Sequence, residues 1–280
     1  MLIDEFSYAE PSHSLPRILL IRAVEMLSGQ PHLKRLYEEY RKERLPFSGF
    51  WGEVIKRLQL KLEFYGNQPD VVPATGPLIV VANHPYGVLD GIAICWLVAQ
   101  RRKDFKILIN SVLCRAEEMA EHVLPVDFEP TEIALQTNLA SRQKARELLA
   151  AGGALIVFPA GAISTTGKMS EREAVDAPWA PLVGQLIRRS KAQVLPVYFE
   201  GQNSALFQWA SHINGNLRVA LIFHEVRRRI GSRLRIAIGD VMTYAQLEPH
   251  LPAKPLSQYL RQHTHGLKQL IDSSDSSSEA

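Results

Sequence analysis

Between about residues 75 and 210, the chain alternates short apolar runs with segments of helical character. The apolar runs cover residues 78–82, 105–109, 123–126, 154–158 and 194–199. Continuous runs of this length are typical of strands that are buried on both faces. Strands that alternate with helices pack in layers, because helices cover the faces of the sheet. We therefore predict an α/β fold, a layered single domain with a mixed, largely parallel sheet flanked by helices.

The remaining patterns complete this prediction of the fold. Helical spacing predicts helices over 91–101, 138–151, 179–191 and 256–271, and two N-terminal amphipathic helices within 16–45. The N-terminal pair is expected either to cover the core or to dock on lipid. Strict alternation predicts strands over 58–64 and 234–238. We expect residues 1–70 to pack on a main domain of residues 71–272, and the polar tail 273–280 to be disordered.

Composition and charge exclude several classes of protein. A chain of 280 residues with 46% hydrophobic content can bury a full core. The net charge of +3, from 32 basic and 29 acidic residues, is too balanced for nucleic-acid binding to lead. The basic clusters at 101–103, 188–189 and 227–229 are predicted to lie on solvated faces. Two cysteines, Cys95 and Cys114, make neither a disulfide framework nor a metal site, which favours a reducing, intracellular setting.

The sequence also limits how the protein meets a membrane. Acidic residues stand in the N-terminal segment where a signal peptide needs bases, so we expect no secretion. The best uninterrupted apolar helical stretch, 92–99, is about two turns long, whereas a spanning helix needs roughly 18 residues. We expect the protein to lie on a membrane surface, where several basic side chains on one face would attract anionic lipid.

The segment 77–99, PLIVVANHPYGVLDGIAICWLVA, contains the most informative residues. An apolar strand ends at Asn83, a Pro/Gly turn follows, and a helix is predicted to begin near Asp90 as its N-cap. His84 and Asp90 then lie at the carboxyl end of a strand, where open α/β sheets place their sites. An imidazole there can accept a proton while the carboxylate fixes its tautomer. A turn histidine beside an ordinary N-cap aspartate is an equal alternative on spacing alone.

Other catalytic motifs do not fit the sequence. GAISTTGK follows a strand, but five residues separate Gly161 from Gly167 and Met169 stands where a P-loop needs Ser or Thr. No Gly-x-Ser-x-Gly elbow occurs, which argues against a serine hydrolase. His263 and His265 have the wrong spacing to share one helical face, and the other histidines are scattered, which argues against a metalloenzyme.

The segment around His84 resembles the first motif of the glycerophospholipid acyltransferase superfamily, in which a His/Asp pair is catalytic. The main pattern places four residues between His and Asp, whereas five separate His84 from Asp90 here. The sequence is closer to a branch with Asn-His-Pro-(Phe/Tyr)-Gly, which includes the hemolysin-like and ornithine-lipid acyltransferases. The resemblance implies that His84 and Asp90 are catalytic and that Asn83, Tyr86 and Gly87 contact substrate.

A second resemblance covers 154–169, where the superfamily usually has Phe-Pro-Glu-Gly-Thr-Arg. This chain keeps Phe158, Pro159 and Gly161, which the resemblance places in substrate binding, but it has Ala160 for Glu and Ile163 for Arg. Because that Arg helps to bind the acceptor's phosphate, another group must do so here. The nearest basic residues, Lys168 and Arg172, are predicted to reach back over the site, and a solvated loop is an equal alternative.

The third resemblance, over 194–207, is an apolar strand followed by Glu-Gly-x-Asn-Ser as in the same branch. Glu200 is predicted to face the site and Asn203 to donate a hydrogen bond there. Capping of the next helix by Asn203 or Ser204 is equally compatible with the pattern. The motif core spans residues 75–207, within an acyltransferase domain of 71–272.

The resemblance implies an O- or N-acyltransferase. It would move a fatty acyl group from a thioester of acyl carrier protein or coenzyme A to a lysophospholipid or related lipid acceptor. The expected reaction is direct attack with His84 as general base, and it requires no metal or other cofactor. We expect a peripheral protein on an anionic surface, the cytoplasmic face of the inner membrane. The alternative is a non-catalytic lipid-binding relative, since the superfamily's Glu and Arg are missing.

Overall fold

Seven strands form one mixed sheet in the computed structural model, which describes residues 30–43, 49–110, 119–213, 218 and 221–278. The strands are β1 Lys61–Gly66, β2 Leu78–Ala82, β3 Phe105–Asn110, β4 Val123–Val126, β5 Ala154–Val157, β6 Gln193–Phe199 and β7 Arg233–Ile238. Their order is β1-β7-β6-β2-β5-β3-β4. All neighbours are parallel except β6 and β7, so the predicted mixed, largely parallel sheet is confirmed.

Helices cover both faces of this sheet. They are α1 Gln30–Glu43, α2 Phe50–Arg57, α3 Val88–Ala99, α4 Glu132–Ala150, α5 Leu182–Ser190, α6 Ala205–Ile213, α7 Ile222–Arg228, α8 Tyr244–Leu247, α9 Ala253–Gly266 and α10 Lys268–Ser278. Short 3-10 turns occur at Pro69–Val71 and Glu248–His250. Within the described ranges, no helix is long and apolar enough to cross a bilayer.

The central strand β2 shows why the apolar runs are continuous. Leu78, Val80 and Ala82 point into a core formed with α1, α2, α3 and α7. Ile79 and Val81 point the other way, into a core formed with α4, α5 and α9. Successive side chains of a strand face opposite sides of the sheet, so a strand between two helical layers needs apolar residues at every position.

The structure corrects the strand predicted over 58–64. Helix α2, which the sequence did not reveal, ends at Arg57, and Leu58 is its C-cap. Gln59 then has a positive φ of 53°, and the strand begins only at Lys61. Leu58 and Leu60 are both buried against the core on either side of this turn, so they alternate without belonging to one strand.

The N-terminal helices were predicted either to cover the core or to dock on lipid, and the structure decides this for the second of the two. Helix α1 packs Leu33 and Tyr40 into the main core, so it covers the core. The first of the two amphipathic helices lies outside the described residues.

The C-terminal tail is a second correction. Residues 273–278 were predicted to be disordered, but they continue helix α10 to Ser278. Ile271 of this helix is buried with Leu267 against the sheet, and Asp275 forms an ion pair with Arg235 of β7. Tertiary contacts therefore stabilise a helix whose composition alone favours disorder.

Candidate active site

Three adjacent strands of the sheet, β6, β2 and β5, are mutually parallel and end at the same edge. The three sequence motifs follow their last residues, at 83–90, 158–161 and 200–203. The structure thus brings the motifs together at the carboxyl edge of the sheet, where open α/β folds bind their ligands.

His84 and Asp90 lie in contact despite the five residues between them. Nδ1 of His84 is 3.2 Å from Oδ2 of Asp90, and the carboxylate is fully buried while the imidazole side chain is 17% exposed. Although Nδ1 lies close to the carboxylate, it makes no hydrogen bond to the described residues. Catalytic contacts are often loose without substrate, so this geometry is compatible with an acid–base pair.

The turn between the two residues orients the Asp90 carboxylate. Its Oδ2 accepts hydrogen bonds from the backbone N–H of Tyr86 at 3.0 Å and of Gly87 at 3.3 Å. Helix α3 begins at Val88 with Gly87 as N-cap, so Asp90 is the third helical residue and not the N-cap that the sequence predicted. The carboxylate still satisfies backbone donors ahead of the helix, as in a capping box.

Gly87 is constrained at this turn in two ways. Its φ is +86°, and an added Cβ would lie 2.6 Å from Cδ1 of Ile163. Ile163, which stands at the position of the superfamily's Arg, packs instead against the apolar residues of α6 and α7. The site therefore has an aliphatic wall where the main pattern has a cation.

The imidazole of His84 is held from a second side by the motif after β5. Its ring stacks on Phe158 with centroids 4.0 Å apart and 26° between the planes. The backbone carbonyl of His84 accepts a hydrogen bond from the N–H of Ser164 at 2.8 Å. Gly161 has φ +71° and donates its own N–H to the Phe158 carbonyl at 3.0 Å, which closes the turn between them.

Asp176 is a central residue of the site that the sequence did not reveal. Its Oδ1 accepts from the backbone N–H of His84 at 3.1 Å and from the hydroxyl of Ser164, and Oδ2 accepts from Nε1 of Trp179 at 3.0 Å. The side chain is fully buried. One carboxylate thus joins the His84 turn to the loop between β5 and α5.

Two side chains of α9 reach Asp176 from the neighbouring layer. Nη2 of Arg261 donates to its backbone carbonyl at 2.8 Å, and Nε2 of His265 lies 3.9 Å from Oδ2. Burial lowers the pKa of His265 from 6.5, because it disfavours the charged imidazolium more than the nearby Asp176 favours it.

This shift predicts how stability depends on pH. Below about pH 6.5 the unfolded chain binds a proton at His265 that the folded protein resists. We expect the free energy of unfolding to fall from pH 6.5 downward and to level off below the folded pKa. Urea unfolding of the wild type and of His265→Gln between pH 7.5 and pH 5 measures this, and the variant should lose part of the slope. Equal slopes would contradict the assignment.

The other residues of the first motif brace the edge of the sheet. Asn83 donates its Nδ2 to the Phe199 carbonyl at 2.8 Å and accepts the Phe199 N–H at 2.7 Å, which links the ends of β2 and β6. The hydroxyl of Tyr86 donates to the Glu200 carbonyl at 2.6 Å, and burial raises the pKa of Tyr86 to about 12. The Asn83 amide and the Tyr86 hydroxyl therefore make their hydrogen bonds to the protein backbone.

In the third motif, Asn203 bonds to the first motif and Ser204 caps the next helix. Asn203 is buried and donates to the Tyr86 carbonyl at 3.4 Å, while Ser204 caps α6 by accepting from the N–H of Phe207 at 3.3 Å. The carboxylate of Glu200, which was predicted to face the site, has a partner within the protein. It pairs with Nη1 of Arg235 at 2.9 Å.

Three basic side chains border the motifs. Lys168 and Arg172 are exposed in the loop after β5, and neither has a side-chain ion pair within the described ranges. Arg229 was predicted to lie on a solvated face, but it is half-buried and its guanidinium lies 4.1 Å from the centroid of the Tyr86 ring. Its Nη2 donates to the Gln202 carbonyl at 3.1 Å, so Arg229 is a fixed positive charge beside the His84 turn.

In the part of the chain that the structure describes, no group of three His, Cys, Asp or Glu side chains is arranged to hold a metal ion. Cys95 is fully buried in α3, and burial raises the pKa of its thiol. Its low thiolate content does not suit a nucleophile.

Comparison with solved structures supports the fold. The chain is similar to the 1-acyl-sn-glycerophosphate (LPA) acyltransferase PlsC from Thermotoga maritima, with a TM-score of 0.53 and 14% identity. The match covers 91% of this chain and 97% of that one.

Comparison of sequences identifies the family. The chain is 26% identical over 154 residues to a lyso-glycine lipid O-acyltransferase of Phocaeicola vulgatus, which covers 54% of this chain and 50% of the relative. The chain therefore spans about half the length of that curated relative in the match. The model of an acyltransferase family matches residues 63–274, which contain all three motifs. The chain belongs to this acyltransferase family.

Proposed function

We propose that this protein transfers a fatty acyl group from an acyl thioester to a hydroxyl or amine of a lysophospholipid or related lipid acceptor, with His84 as general base. The observation that carries the proposal is the contact between the His84 imidazole and the buried Asp90 carboxylate, 3.2 Å apart at the carboxyl edge of the sheet. The relative named as a lyso-glycine lipid O-acyltransferase supports a lipid acceptor. The donor is proposed to be a thioester of acyl carrier protein or coenzyme A.

We propose a role for each nitrogen of His84. Nδ1 faces Asp90, so a proton on Nδ1 is stabilised there and the lone pair lies on Nε2. Nε2 would accept the proton of the acceptor hydroxyl or amine as the acceptor attacks the thioester carbonyl. Collapse of the tetrahedral intermediate breaks the carbon–sulfur bond, and the imidazolium returns its proton to the thiolate. The stacked Phe158 ring holds the imidazole in place during both transfers, and Asp176 holds the backbone of the turn by accepting the His84 N–H.

The oxyanion of the intermediate needs hydrogen-bond donors near this turn. The N–H of Gly161 is already bonded to the Phe158 carbonyl. The N–H groups of Ala162 and Ile163 make no hydrogen bond to described residues, and we propose that they, not Gly161, stabilise the oxyanion. Proton transfer and positioning suffice for this reaction, so the proposal includes no metal and no cofactor besides the acyl-carrying co-substrate.

The rival function is lipid binding without catalysis, and the substitutions Ala160 and Ile163 favour it. The intact His84–Asp90 contact favours the enzyme, because lipid binding alone does not require that pair. Release of free thiol from an acyl thioester distinguishes the two. The enzyme releases thiol only when a lysolipid acceptor is present, whereas a binding protein releases none above the rate without protein.

The acceptor's head group is proposed to bind Lys168 and Arg172. Both are exposed beside the motif after β5, and no other side chain pairs with their charges within the described ranges. Replacing both by alanine is expected to raise the acceptor KM about tenfold or more while the donor KM changes less than about twofold, since they would bind one substrate only. Initial-rate kinetics with each substrate varied in turn measures this. Arg188→Ala/Arg189→Ala, in α5, is the matched control for loss of two charges.

Equal changes in both KM values, or none, would show that the acceptor is anchored elsewhere. Arg229 is then the next residue to replace, because it is a fixed cation 4.1 Å from the Tyr86 ring. An effect of Arg229→Gln on the acceptor KM alone would identify it as the anchor.

The protein is further proposed to act at the cytoplasmic face of the inner membrane as a peripheral protein. A lipid acceptor with one remaining acyl chain partitions into a bilayer, so the site must open toward that surface.

A further inference from the structure

Helix α6 carries apolar residues on two adjacent faces, one buried and one exposed. Phe207 and Ala210 are fully buried in a cluster with Leu221 and Ile222. Leu206, Trp209 and Ile213 are 48%, 49% and 53% exposed. Because these three are spaced by three and four residues, they share one face of the helix, and the buried pair lies on the adjacent face. About half of each of the three side chains is open to solvent, and we call them the α6 stripe.

The α6 stripe lies beside the candidate active site. His212, between two of its residues, bonds Oγ1 of Thr166 through Nε2 at 2.8 Å, and Gln208 Oε1 accepts the Thr166 N–H at 3.1 Å. Thr166 is two residues from Ser164, whose N–H bonds the His84 carbonyl. The helix is therefore fastened to the loop that holds the general base.

Helix α7, which packs beside α6, carries exposed basic residues. Residues 201–239 contain six arginines and one acidic residue, Glu225, but Arg233 and Arg235 pair with Glu63, Glu200 and Asp275, which lie outside this segment. Oε2 of Glu225 accepts the Ser204 N–H at 2.9 Å and lies 3.8 Å from Nη1 of Arg228. Arg228 is thereby placed at the N-terminal end of α6, and Arg227 beside it is exposed.

A second set of exposed apolar residues has the opposite charge around it. Ile133, Leu135 and Leu139 are 77%, 52% and 54% exposed on α4, which packs on the other face of the sheet, and Phe128, which is 60% exposed, precedes this helix and lies beside Gly161. Asp127, Glu129 and Glu132 lie among them in the sequence. An anionic surface would be repelled there and attracted to α6.

We propose that the α6 stripe, together with the exposed Arg227 and Arg228 of the neighbouring helix α7, is the surface through which this protein docks on an anionic phospholipid bilayer. An exposed Trp with aliphatic neighbours and nearby arginines matches the chemistry of a membrane interface. Docking there would present the His84 turn to the bilayer in which a lipid acceptor resides. This inference rests on the proposed function in one respect, namely that the acceptor is a membrane lipid.

The test uses vesicles of equal parts phosphatidylcholine and phosphatidylglycerol, with no substrate present. Trp209 is the exposed member of the four tryptophans, since Trp51 and Trp179 are buried and Trp96 is stacked on Phe64. Brominated lipid is expected to quench the protein's fluorescence. Trp209→Phe should abolish most of the quenching while vesicle sedimentation stays within about twofold of wild type, because Phe keeps the apolar contact.

Leu206→Ser/Ile213→Ser is expected to lower the vesicle partition coefficient about tenfold or more, since two aliphatic contacts are lost. Ile133→Ser/Leu139→Ser is the matched control with the same change on the α4 side, and it should bind as wild type does. Arg227→Gln/Arg228→Gln should weaken binding to these vesicles but not to pure phosphatidylcholine. Circular dichroism and the melting temperature establish that each variant is folded.

Wild-type partitioning of the α6 double variant, or loss of binding in the α4 double variant instead, would overturn the proposal. Self-association that depends on Leu206 and Ile213, seen by sedimentation equilibrium, would also overturn it and assign the stripe to a second copy of this chain. Because binding is measured without turnover, failure here is distinct from failure of the proposed chemistry, which thiol release tests separately.

Discussion

Replacing His84 by alanine is expected to lower the rate of acyl transfer by about 10²- to 10⁴-fold, the range typical of a lost general base. The side chain is partly exposed, and its ring stacks on Phe158 and faces Asp90 without a hydrogen bond, so its removal should leave the fold intact. The backbone bonds of His84 to Asp176 and Ser164 do not depend on the imidazole. Single-turnover transfer to a lysolipid acceptor, with the melting temperature as a check on folding, measures the effect.

Asp90→Asn is the companion variant to His84→Ala. An amide oxygen can still accept the N–H groups of Tyr86 and Gly87, so the turn should persist. The neutral amide no longer stabilises the imidazolium, and we expect a smaller loss of rate than in His84→Ala. Near-normal activity of His84→Ala would remove the central proposal. Equal inactivity of the two variants would mean that the pair acts as one unit.

The sequence predicted the central strands well because their burial leaves a local trace. The five residues of β2 are buried on both faces, and residues 78–82 and 123–126 were predicted with the bounds that the structure has. The predicted starts of the helices differ from the observed starts by several residues. Helix α4 begins at Glu132 and not at 138, because Thr131 caps it by accepting the Ala134 N–H at 3.1 Å.

Local patterns failed where long-range contacts decide the structure. The alternation over 58–64 continues across a turn, because Leu58 and Leu60 are both buried for reasons unrelated to strand pairing. The polar tail continues a helix that packs Ile271 against the sheet, and its Asp275 pairs with Arg235, 40 residues earlier. Neither contact has a signature in the sequence around it.

In the candidate site, too, local motifs predicted some contacts and only the fold produced the others. His84 and Asp90 belong to one turn, so a short motif predicted that they meet. Asp176 is 92 residues from His84 and Arg229 comes from a third segment, so only the fold places them beside the turn. The motif also could not show that Asn83, Tyr86 and Glu200 direct their polar groups into protein contacts.

The Asp176 carboxylate provides the prediction with the largest effect on stability. It accepts hydrogen bonds from three donors, the His84 N–H, the Ser164 hydroxyl and the Trp179 indole. In Asp176→Ala these donors lose their acceptor inside the protein, and each buried unsatisfied donor costs about 1–3 kcal/mol. We expect the free energy of unfolding to fall by about 3 kcal/mol or more, as measured by urea denaturation.

Asp176→Asn and Ser164→Ala separate stability from positioning. The Asn oxygen can still accept from His84 and Ser164, but its amide group would meet the Trp179 N–H, so we expect an intermediate loss of stability. Ser164→Ala removes one donor without leaving it unsatisfied and should be nearly neutral. If Asp176 also positions His84, Asp176→Asn should lower kcat at unchanged KM and shift the pH profile of kcat, which a purely structural residue would not do. Wild-type urea unfolding of Asp176→Ala would show that the three hydrogen bonds contribute nothing, and Asp176→Asn supplies the measurement if the alanine variant does not fold.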